Sequence, residues 1–178
     1  MTAAAEDQRL VLRILNRDGA AFEQLVRRHQ ARLFTIAARL LGERELAADI
    51  VQEAFLRVHR KLPDYRPTGS FSGWLARITV NLCLNELEKR KRWVLPGDEP
   101  DLPSPEEGPE GAAVGEELRA TVRRAAARLS PQRQAVLALA VLGYSYEEME
   151  EILGWKNSQV KSELFRARQK LREEMKRP

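Results

Sequence analysis

The chain has 178 residues, 43% of them hydrophobic, and a formal net charge of +4. This length and hydrophobic fraction support one or two small domains with packed cores and argue against general disorder. No apolar run approaches the roughly 20 residues that cross a bilayer, and the N-terminus lacks a secretory signal pattern, so we expect a cytoplasmic protein with no membrane insertion. Cys83, His29 and His59 lie far apart in the sequence, which argues against a disulfide framework, a metal site or another cofactor.

Three amphipathic helices are predicted at the start of the chain. Apolar residues recur there at helical spacing, over residues 6–16, 20–41 and 45–62. Asp18 is placed to cap the second helix, Gly42 to close it and Pro63 to end the third. No segment shows the alternating pattern of a strand, so we predict an all-α fold.

A loop follows the third helix. Two prolines and a glycine within seven residues cannot continue a helix, and they predict a turn-rich segment over residues 63–69. Its candidate contact residues are Tyr65, Arg66 and Thr68.

The fourth helix, predicted from Gly73 to about Arg92 after a cap at Ser70 or Ser72, has an unusual polar side. Four side chains at four-residue intervals form one ridge, which we call the amide ridge: Arg77, Asn81, Asn85 and Lys89. Asparagine is a poor helix former, so two in mid-helix cost stability, whereas their amides suit the reading of adenine edges. The basic end of this helix, residues 88–92, suits phosphate contacts, although the helix dipole alone would also favour it.

Charge is segregated along the chain. Residues 1–93 carry 17 basic and 11 acidic groups, residues 94–115 carry 6 acidic groups and no basic group, and residues 116–178 carry 13 basic and 9 acidic groups. Proline, glycine and acidic residues make the middle segment an extended, self-repelling linker. We therefore predict two small helical domains, 1–93 and 116–178, joined by a flexible acidic linker.

The second domain ends in a helix-turn-helix pattern. Two helices are predicted before it, over residues 116–129 and 131–142. A capping box of Ser145 and Glu148 then starts a short helix. Gly154 closes this helix, and Asn157 or Ser158 is placed to cap the last one.

The last helix has a polar, partly basic face. Apolar residues at helical spacing, from Val160 to Leu171, predict its buried side. The residues left facing outward are Ser158, Gln159, Lys161, Ser162 and Arg166. In a helix-turn-helix unit such side chains reach base edges and phosphates in the major groove, which predicts a reader of duplex DNA. A plain helical hairpin with a solvated basic face is the alternative for this stretch.

No catalytic constellation accompanies these features. The sequence has no phosphate-binding glycine loop, no metal cluster, and no arrangement of serine, histidine and aspartate that would support catalysis. We do not expect an enzyme.

The order and spacing of several motifs closely resemble the extracytoplasmic-function sigma factors of bacterial RNA polymerase, within the sigma-70 family. Three segments resemble sigma region two: FEQL at 22–25, ADIVQEAFLR at 48–57 and FSGWLARITVN at 71–81. The segments that resemble region four are LSPQR at 129–133, GYSYEE at 143–148, ILG at 152–154, VKS at 160–162 and RAR at 166–168. The resemblance covers nearly the whole chain.

This resemblance implies a transcription initiation factor that binds core RNA polymerase, through its clamp coiled coil and flap, and directs it to promoter DNA. The helix bearing Asp49, Gln52 and Glu53 would dock on the clamp coiled coil. The loop from Tyr65 to Ser70 and the amide ridge would capture bases of the opened minus-ten element. The outward face of the last helix would hold the minus-thirty-five duplex, and the family also implies an anti-sigma factor as a partner.

Two positions depart from the family pattern. Members usually carry a basic residue where this chain has Glu163, and a carboxylate there would repel phosphate or accept from a cytosine amino group. We therefore expect weak or altered minus-thirty-five recognition. The turn over residues 155–159 departs from the usual proline-containing, Gly-Thr form, so the helix start and the contacting residues are defined only to within about one residue.

Two other classes of protein remain as alternatives. An ordinary helix-turn-helix regulator would explain the last sixty residues but not the amide ridge or the acidic linker. In a helical adaptor that binds only proteins, the basic surfaces of the two domains would simply face solvent. Such a protein would show no salt-sensitive affinity for DNA.

Overall fold

Eight α-helices and one short 3₁₀ helix (Leu62–Asp64) form the described part of the chain, which comprises residues 3–66, 69–93 and 113–176 of a computed structural model. No strand occurs within these ranges, so the all-α prediction is confirmed. The helices are α1 (Ala3–Leu15), α2 (Gly19–Leu41), α3 (Arg44–Lys61), α4 (Phe71–Trp93), α5 (Ala113–Ala127), α6 (Pro131–Val141), α7 (Tyr146–Leu153) and α8 (Asn157–Glu174). None of these described helices has the length and hydrophobicity needed to cross a bilayer.

Local backbone chemistry sets the helix ends in the first half. The Asp18 carboxylate accepts a hydrogen bond from a first-turn N–H of α2 at 3.3 Å, and Gly42 ends that helix at φ 71°, as predicted. The sequence predicts α4 from Gly73, but the Ser70 hydroxyl accepts from the Gly73 N–H at 2.9 Å. Ser70 is therefore the cap, and α4 begins earlier, at Phe71.

The central helix of the first half is α2, which packs against α1, α3 and α4. Its large aliphatic residues Leu25, Leu33 and Ile36 are at most 1% exposed, and each contributes about 1.5–3 kcal/mol relative to exposure. Cys83 of α4 lies in the same core, and burial raises the pKa of its thiol to about 12. Leu15, the last residue of α1, is 46% exposed because the chain turns immediately after it.

A buried ion pair joins α1 to α2. Asp7 is only 3% exposed, and its Oδ1 lies 2.9 Å from His29 Nε2 and 2.9 Å from Arg28 Nε. The sequence, which argues against His29 as a metal ligand, gives no indication of this contact. Because the carboxylate has two partners, its burial is tolerated and α1 is fixed in place.

The helix-turn-helix pattern of the second half is confirmed. The Ser145 hydroxyl accepts from the Glu148 N–H at 3.2 Å, and the Glu148 carboxylate accepts from the Ser145 N–H at 2.8 Å, which completes the capping box of α7. The predicted cap of α8 is wrong. Lys156 occupies the cap position without a capping side-chain hydrogen bond, so α8 begins at Asn157.

Most of the linker predicted over residues 94–115 lies outside the described residues. Helix α5 begins at Ala113, before the helix start predicted at Glu116, so the end of that segment is helical. Helix α6 begins at Pro131 as predicted, and the Ser130 hydroxyl caps it by accepting from the Arg133 N–H at 3.4 Å.

The two halves of the described chain are in contact. Helix α7 packs on α4, and α6 contacts both α2 and α4. One continuous cluster of buried apolar side chains contains residues of both halves, such as Leu75 of α4 and Ile152 of α7. The helix-turn-helix unit therefore lies against the helix that carries the amide ridge.

Candidate nucleic-acid and polymerase interfaces

The outward side of α8 is exposed, as predicted from the apolar spacing. The residues that form this recognition face are Ser158, Gln159, Lys161, Ser162 and Arg166. Beneath them Val160 and Leu164 are 0% and 3% exposed, and they anchor α8 to the core. Lys161 Nζ lies 5.3 Å from the centroid of the Tyr146 ring of α7, a cation–π contact that holds the ammonium at one edge of the face.

One aromatic residue beside the recognition face escaped the sequence analysis. Phe165 is 63% exposed although it directly follows the buried Leu164. Successive helix residues are separated by about 100°, so Phe165 lies off the buried stripe and one turn beyond Lys161 and Ser162. The exposure of Phe165 was therefore predictable from helical periodicity alone.

Glu163 lies at the side of the recognition face and is held by two arginines. Its carboxylate is 3.2 Å from Arg133 Nε of α6 and 2.5 Å from Arg166 Nη1, and its side chain is only 20% exposed. The hydrogen bond from Arg166, with a further one from Arg133, holds the pKa of Glu163 below its ordinary value. The geometry thus pairs this carboxylate within the protein, whereas the family pattern predicts that it faces DNA.

The amide ridge is exposed along the whole of α4. All four of its side chains, Arg77, Asn81, Asn85 and Lys89, are exposed. Lys89 Nζ lies 3.5 Å from the Glu86 carboxylate of the same helix, a surface pair of small energy. The ridge therefore presents two exposed amide side chains, Asn81 and Asn85, between the cationic side chains of Arg77 and Lys89.

The loop before α4 is built on an aromatic cluster. The Tyr65 ring centroid lies 4.7 Å from that of Trp74 and 5.5 Å from that of Phe71. Partial burial, and then the charges of Glu151 and Asp7, raise the pKa of the Tyr65 hydroxyl. Tyr65 is half-buried, so the cluster fixes the base of the loop.

The other predicted loop residues differ in their surroundings. Arg66 is exposed, and its guanidinium donates to the Tyr65 carbonyl at 3.4 Å. Ser70, at the end of the loop, contacts Glu151 of α7. Thr68 lies outside the described residues.

The predicted polymerase-binding residues form one stripe along α3. Asp49 and Gln52 are exposed, and Glu53 accepts a hydrogen bond from Arg57 Nε at 2.7 Å. Leu56 continues the stripe and is 53% exposed, an apolar residue that the sequence analysis did not assign. We define the α3 stripe as Asp49, Gln52, Glu53 and Leu56.

The structure brings the α3 stripe and the amide ridge together. A groove between α3 and α4 is lined by Glu53 and Arg57 on one wall and by Asn85 and Lys89 on the other. A protein bound along α3 would therefore lie next to nucleic acid bound along α4.

Sequence comparison matches two parts of the chain to family models. Residues 25–93 match "Sigma-70 region 2" and residues 119–171 match "Sigma-70, region 4". The first match contains the α3 stripe and the amide ridge. The second contains the helix-turn-helix unit.

Whole-protein comparisons agree in both sequence and structure. The chain is similar to the ECF RNA polymerase sigma factor SigE of Mycolicibacterium smegmatis, at 39% identity over 86% of this chain and 61% of that protein. It is 31% identical to the RNA polymerase sigma-H factor of Pseudomonas aeruginosa, over 95% of this chain and 93% of that protein. Its fold is similar to CnrH, solved in complex with the cytosolic domain of CnrY, with a TM-score of 0.67, 26% identity and coverage of 94% and 96%.

Proposed function

The chain belongs to the extracytoplasmic-function sigma factors of the sigma-70 family, and we propose which of its surfaces carries each step of promoter recognition. It is a transcription initiation factor that gives bacterial RNA polymerase its promoter specificity. Sigma factors are not enzymes, and we propose that this chain acts by binding alone, in the cytoplasm where the polymerase works. We also retain the predicted division into a first domain (1–93), a linker (94–115) and a second domain (116–178).

The α3 stripe is the proposed docking surface for the polymerase. It combines exposed polar groups at Asp49 and Gln52 with the exposed apolar side chain of Leu56. A central apolar contact with a polar rim is the usual composition of a protein interface. By family resemblance its partner is the clamp coiled coil, and the flap is the expected contact of the second half.

The amide ridge and the loop before α4 are proposed to read the minus-ten element as an opened strand. Asn81 and Asn85 supply donors and acceptors for base edges, and Arg77 and Lys89 supply charge for phosphates. The Tyr65–Trp74 pair offers a firm wall beside which an unstacked base would lie, and stacking recovers part of the few kcal/mol that unstacking costs.

The recognition face of α8 is proposed to read the minus-thirty-five element in the major groove. Its hydroxyls, amide and cations match base edges and phosphates. Phe165 adds an apolar group at 63% exposure, suited to contact with a thymine methyl.

The proposed partners follow from these surfaces and from the family. They are core RNA polymerase, promoter DNA and an anti-sigma factor. Support for the last comes from the resemblance, and the structurally similar CnrH was solved bound to the cytosolic domain of another protein.

The observation that carries the proposal is the junction of the α3 stripe with the amide ridge across one groove. It is tested by co-elution of the chain with bacterial core RNA polymerase on a sizing column, at moderate salt and without DNA. We expect the native chain to co-elute and the double variant Asp49→Lys, Glu53→Lys to lose co-elution. Both substitutions replace a negative charge with a positive one, and a partner surface complementary to the carboxylates would repel the lysines.

A matched control tests whether the effect is local. Glu23 forms an i,i+4 pair with Arg27 on α2 just as Glu53 does with Arg57 on α3. Glu23→Lys should therefore co-elute normally, while Glu53→Lys alone weakens binding. Separation of the native chain from polymerase, with duplex DNA bound by the chain alone, would contradict the proposal and indicate an ordinary helix-turn-helix regulator.

A further inference from the structure

We propose that α7 closes the Ser70 end of the minus-ten-reading surface in the free chain, with its carboxylates standing where the phosphates of promoter DNA would lie. Single-stranded DNA then reaches this end only after the two halves separate. The inference rests on the proposed role of the amide ridge and its loop. In this proposal α7 of the same chain competes with single-stranded DNA for that surface.

Glu151 of α7 makes the central contact. Its carboxylate accepts a hydrogen bond from the Ser70 N–H and another from the Ser70 hydroxyl, the latter at 2.9 Å. Ser70 is the cap of α4, so the carboxylate lies at the positive end of the helix dipole. A helix N-terminus with a free N–H and a hydroxyl is also the arrangement that binds phosphate oxygens. One acidic side chain therefore occupies the donors that a DNA strand would use.

A second contact involves Arg77, the first residue of the amide ridge. Gly154 ends α7 in the left-handed region, at φ 70°. A methyl group added at Gly154 would collide with the Arg77 guanidinium. The cation of the ridge thus rests on the C-terminal end of α7, where the helix dipole is negative.

A third contact ties α2 to the start of the helix-turn-helix unit. Arg32 Nε donates to the Tyr144 hydroxyl at 2.7 Å, and Arg32 Nη2 lies 3.6 Å from the Glu148 carboxylate. The same guanidinium donates to the Ser72 hydroxyl in the first turn of α4 at 2.5 Å. Arg32 therefore bridges the two halves beside the Glu151 contact.

These contacts lie at the N-terminal end of α4. Ser70 and Arg77 touch α7, whereas Asn81 and Asn85 lie beyond it and are exposed. The buried apolar cluster continues from α4 into α7, so the polar contacts add to an interface that is already packed. Removing one polar contact should therefore shift the balance between closed and open forms without unfolding either half.

The test uses the full chain and substitutions at Glu151. Glu151→Gln removes the charge and Glu151→Lys reverses it. Hydrogen exchange over residues 69–77 is measured by mass spectrometry in the free protein, together with affinity for a fluorescein-labelled pool of random single-stranded 12-mers. We expect about tenfold faster exchange and about tenfold tighter DNA binding for Glu151→Lys, with a smaller change for Glu151→Gln, because hydrogen bonds to charged groups are among the stronger ones.

Glu150 supplies the matched control. It is exposed on the same helix, so Glu150→Lys makes the same change of net charge without touching Ser70. Any general electrostatic gain in DNA affinity appears in both lysine variants, and only the excess at position 151 reports opening.

Gly73→Ala provides a test that changes no charge. A methyl group at Gly73 would collide with the Glu151 carboxylate and displace it. Alanine is the better helix former, so α4 itself is not weakened. We expect faster exchange over residues 69–77 for this variant as well.

Promoter-specific transcription with core polymerase distinguishes a failure of the α7 inference from a failure of the proposed function. If the Glu151 and Gly73 variants match their controls in exchange and DNA affinity while the native chain still drives promoter-specific transcription, α7 does not close this surface and the inference is overturned. If the native chain drives no such transcription, the proposed function fails and the inference fails with it.

Discussion

The two DNA-reading surfaces of the chain differ in how accessible they are. The recognition face of α8 is exposed over its full length, with Arg166 paired to Glu163 of the same helix and Lys161 against the Tyr146 ring of α7. The minus-ten surface on α4 is exposed at Asn81 and Asn85 but is met by α7 at Ser70 and Arg77. The free chain therefore presents its surface for duplex DNA, while α7 contacts one end of its surface for single-stranded DNA.

This difference follows from the composition of the two helices in contact. Helix α7 carries four glutamates in eight residues, and the end of α4 that it meets offers an N-terminal cap and an arginine. Helix α8 carries hydroxyls, an amide and cations on its outward face, and these side chains stay exposed although α7 packs against the side of α8. Complementary charge therefore adds to the apolar packing of α7 on α4, whereas the outward face of α8 remains exposed.

The largest expected effect is on the open surface. Arg166 is 58% exposed at the C-terminal end of the α8 recognition face. Arg166→Ala should weaken binding of the minus-thirty-five duplex by about 10- to 100-fold, because one good arginine contact with a base is worth about 1–3 kcal/mol. Fluorescence anisotropy at fixed salt measures the affinity.

Arg172→Ala is the control for charge alone. Arg172 is exposed near the end of α8, beyond the recognition face. It should cost only the small, sequence-independent loss of one phosphate-attracting charge. Equal losses for both variants would mean that Arg166 does not read bases.

A smaller effect is expected on the partly covered surface. The double variant Asn81→Ala, Asn85→Ala should lower the yield of open promoter complexes about tenfold, because two base-reading amides are lost. The same variant should be more stable than the native chain, by about 0.5 kcal/mol per site, because alanine is the better helix former at exposed helix positions. Permanganate footprinting and thermal unfolding measure the two quantities.

The opposite directions of these changes make the result specific. Reduced melting of the promoter with a raised Tm assigns the asparagines to function. Unchanged promoter opening would instead make them ordinary solvated residues and remove the comparison between the two surfaces.

The smallest effect is expected at Glu163, beside the recognition face of α8. Its pairs with Arg133 and Arg166 are partly exposed, and such pairs contribute at most about 1 kcal/mol. Glu163→Gln should therefore release Arg166 and strengthen duplex binding by up to about fivefold, without a change in base preference. A systematic set of duplex variants measures both quantities. A changed preference at one base pair would instead show that the carboxylate reads DNA directly.

Helix positions were predictable because local chemistry decides them. The caps at Asp18 and Ser130, the capping box at Ser145 and the exposed recognition face all follow from side chains that act within one turn. The start of α8 was not predictable in this way, since Lys156 occupies its cap position without a capping side chain. There tertiary packing overrides the local signal.

The missed features depend on contacts between distant residues. Glu163 has an arginine thirty positions away as a partner, His29 is buried against Asp7 twenty-two positions away, and Ser70 meets Glu151 across the two halves. No spacing rule relates such positions, because the fold alone brings them together. The groove that joins the α3 stripe to the amide ridge belongs to the same class.

The most direct test of the account is transcription by core polymerase with this chain on fragmented bacterial DNA, followed by sequencing of the RNA 5′ ends. We predict starts that share an upstream and a downstream element. Arg166→Ala should relax the sequence of the upstream element alone, and Asn81→Ala, Asn85→Ala that of the downstream element alone. Starts without any shared element, or with both elements relaxed equally by either variant, would contradict the assignment of two separate reading surfaces.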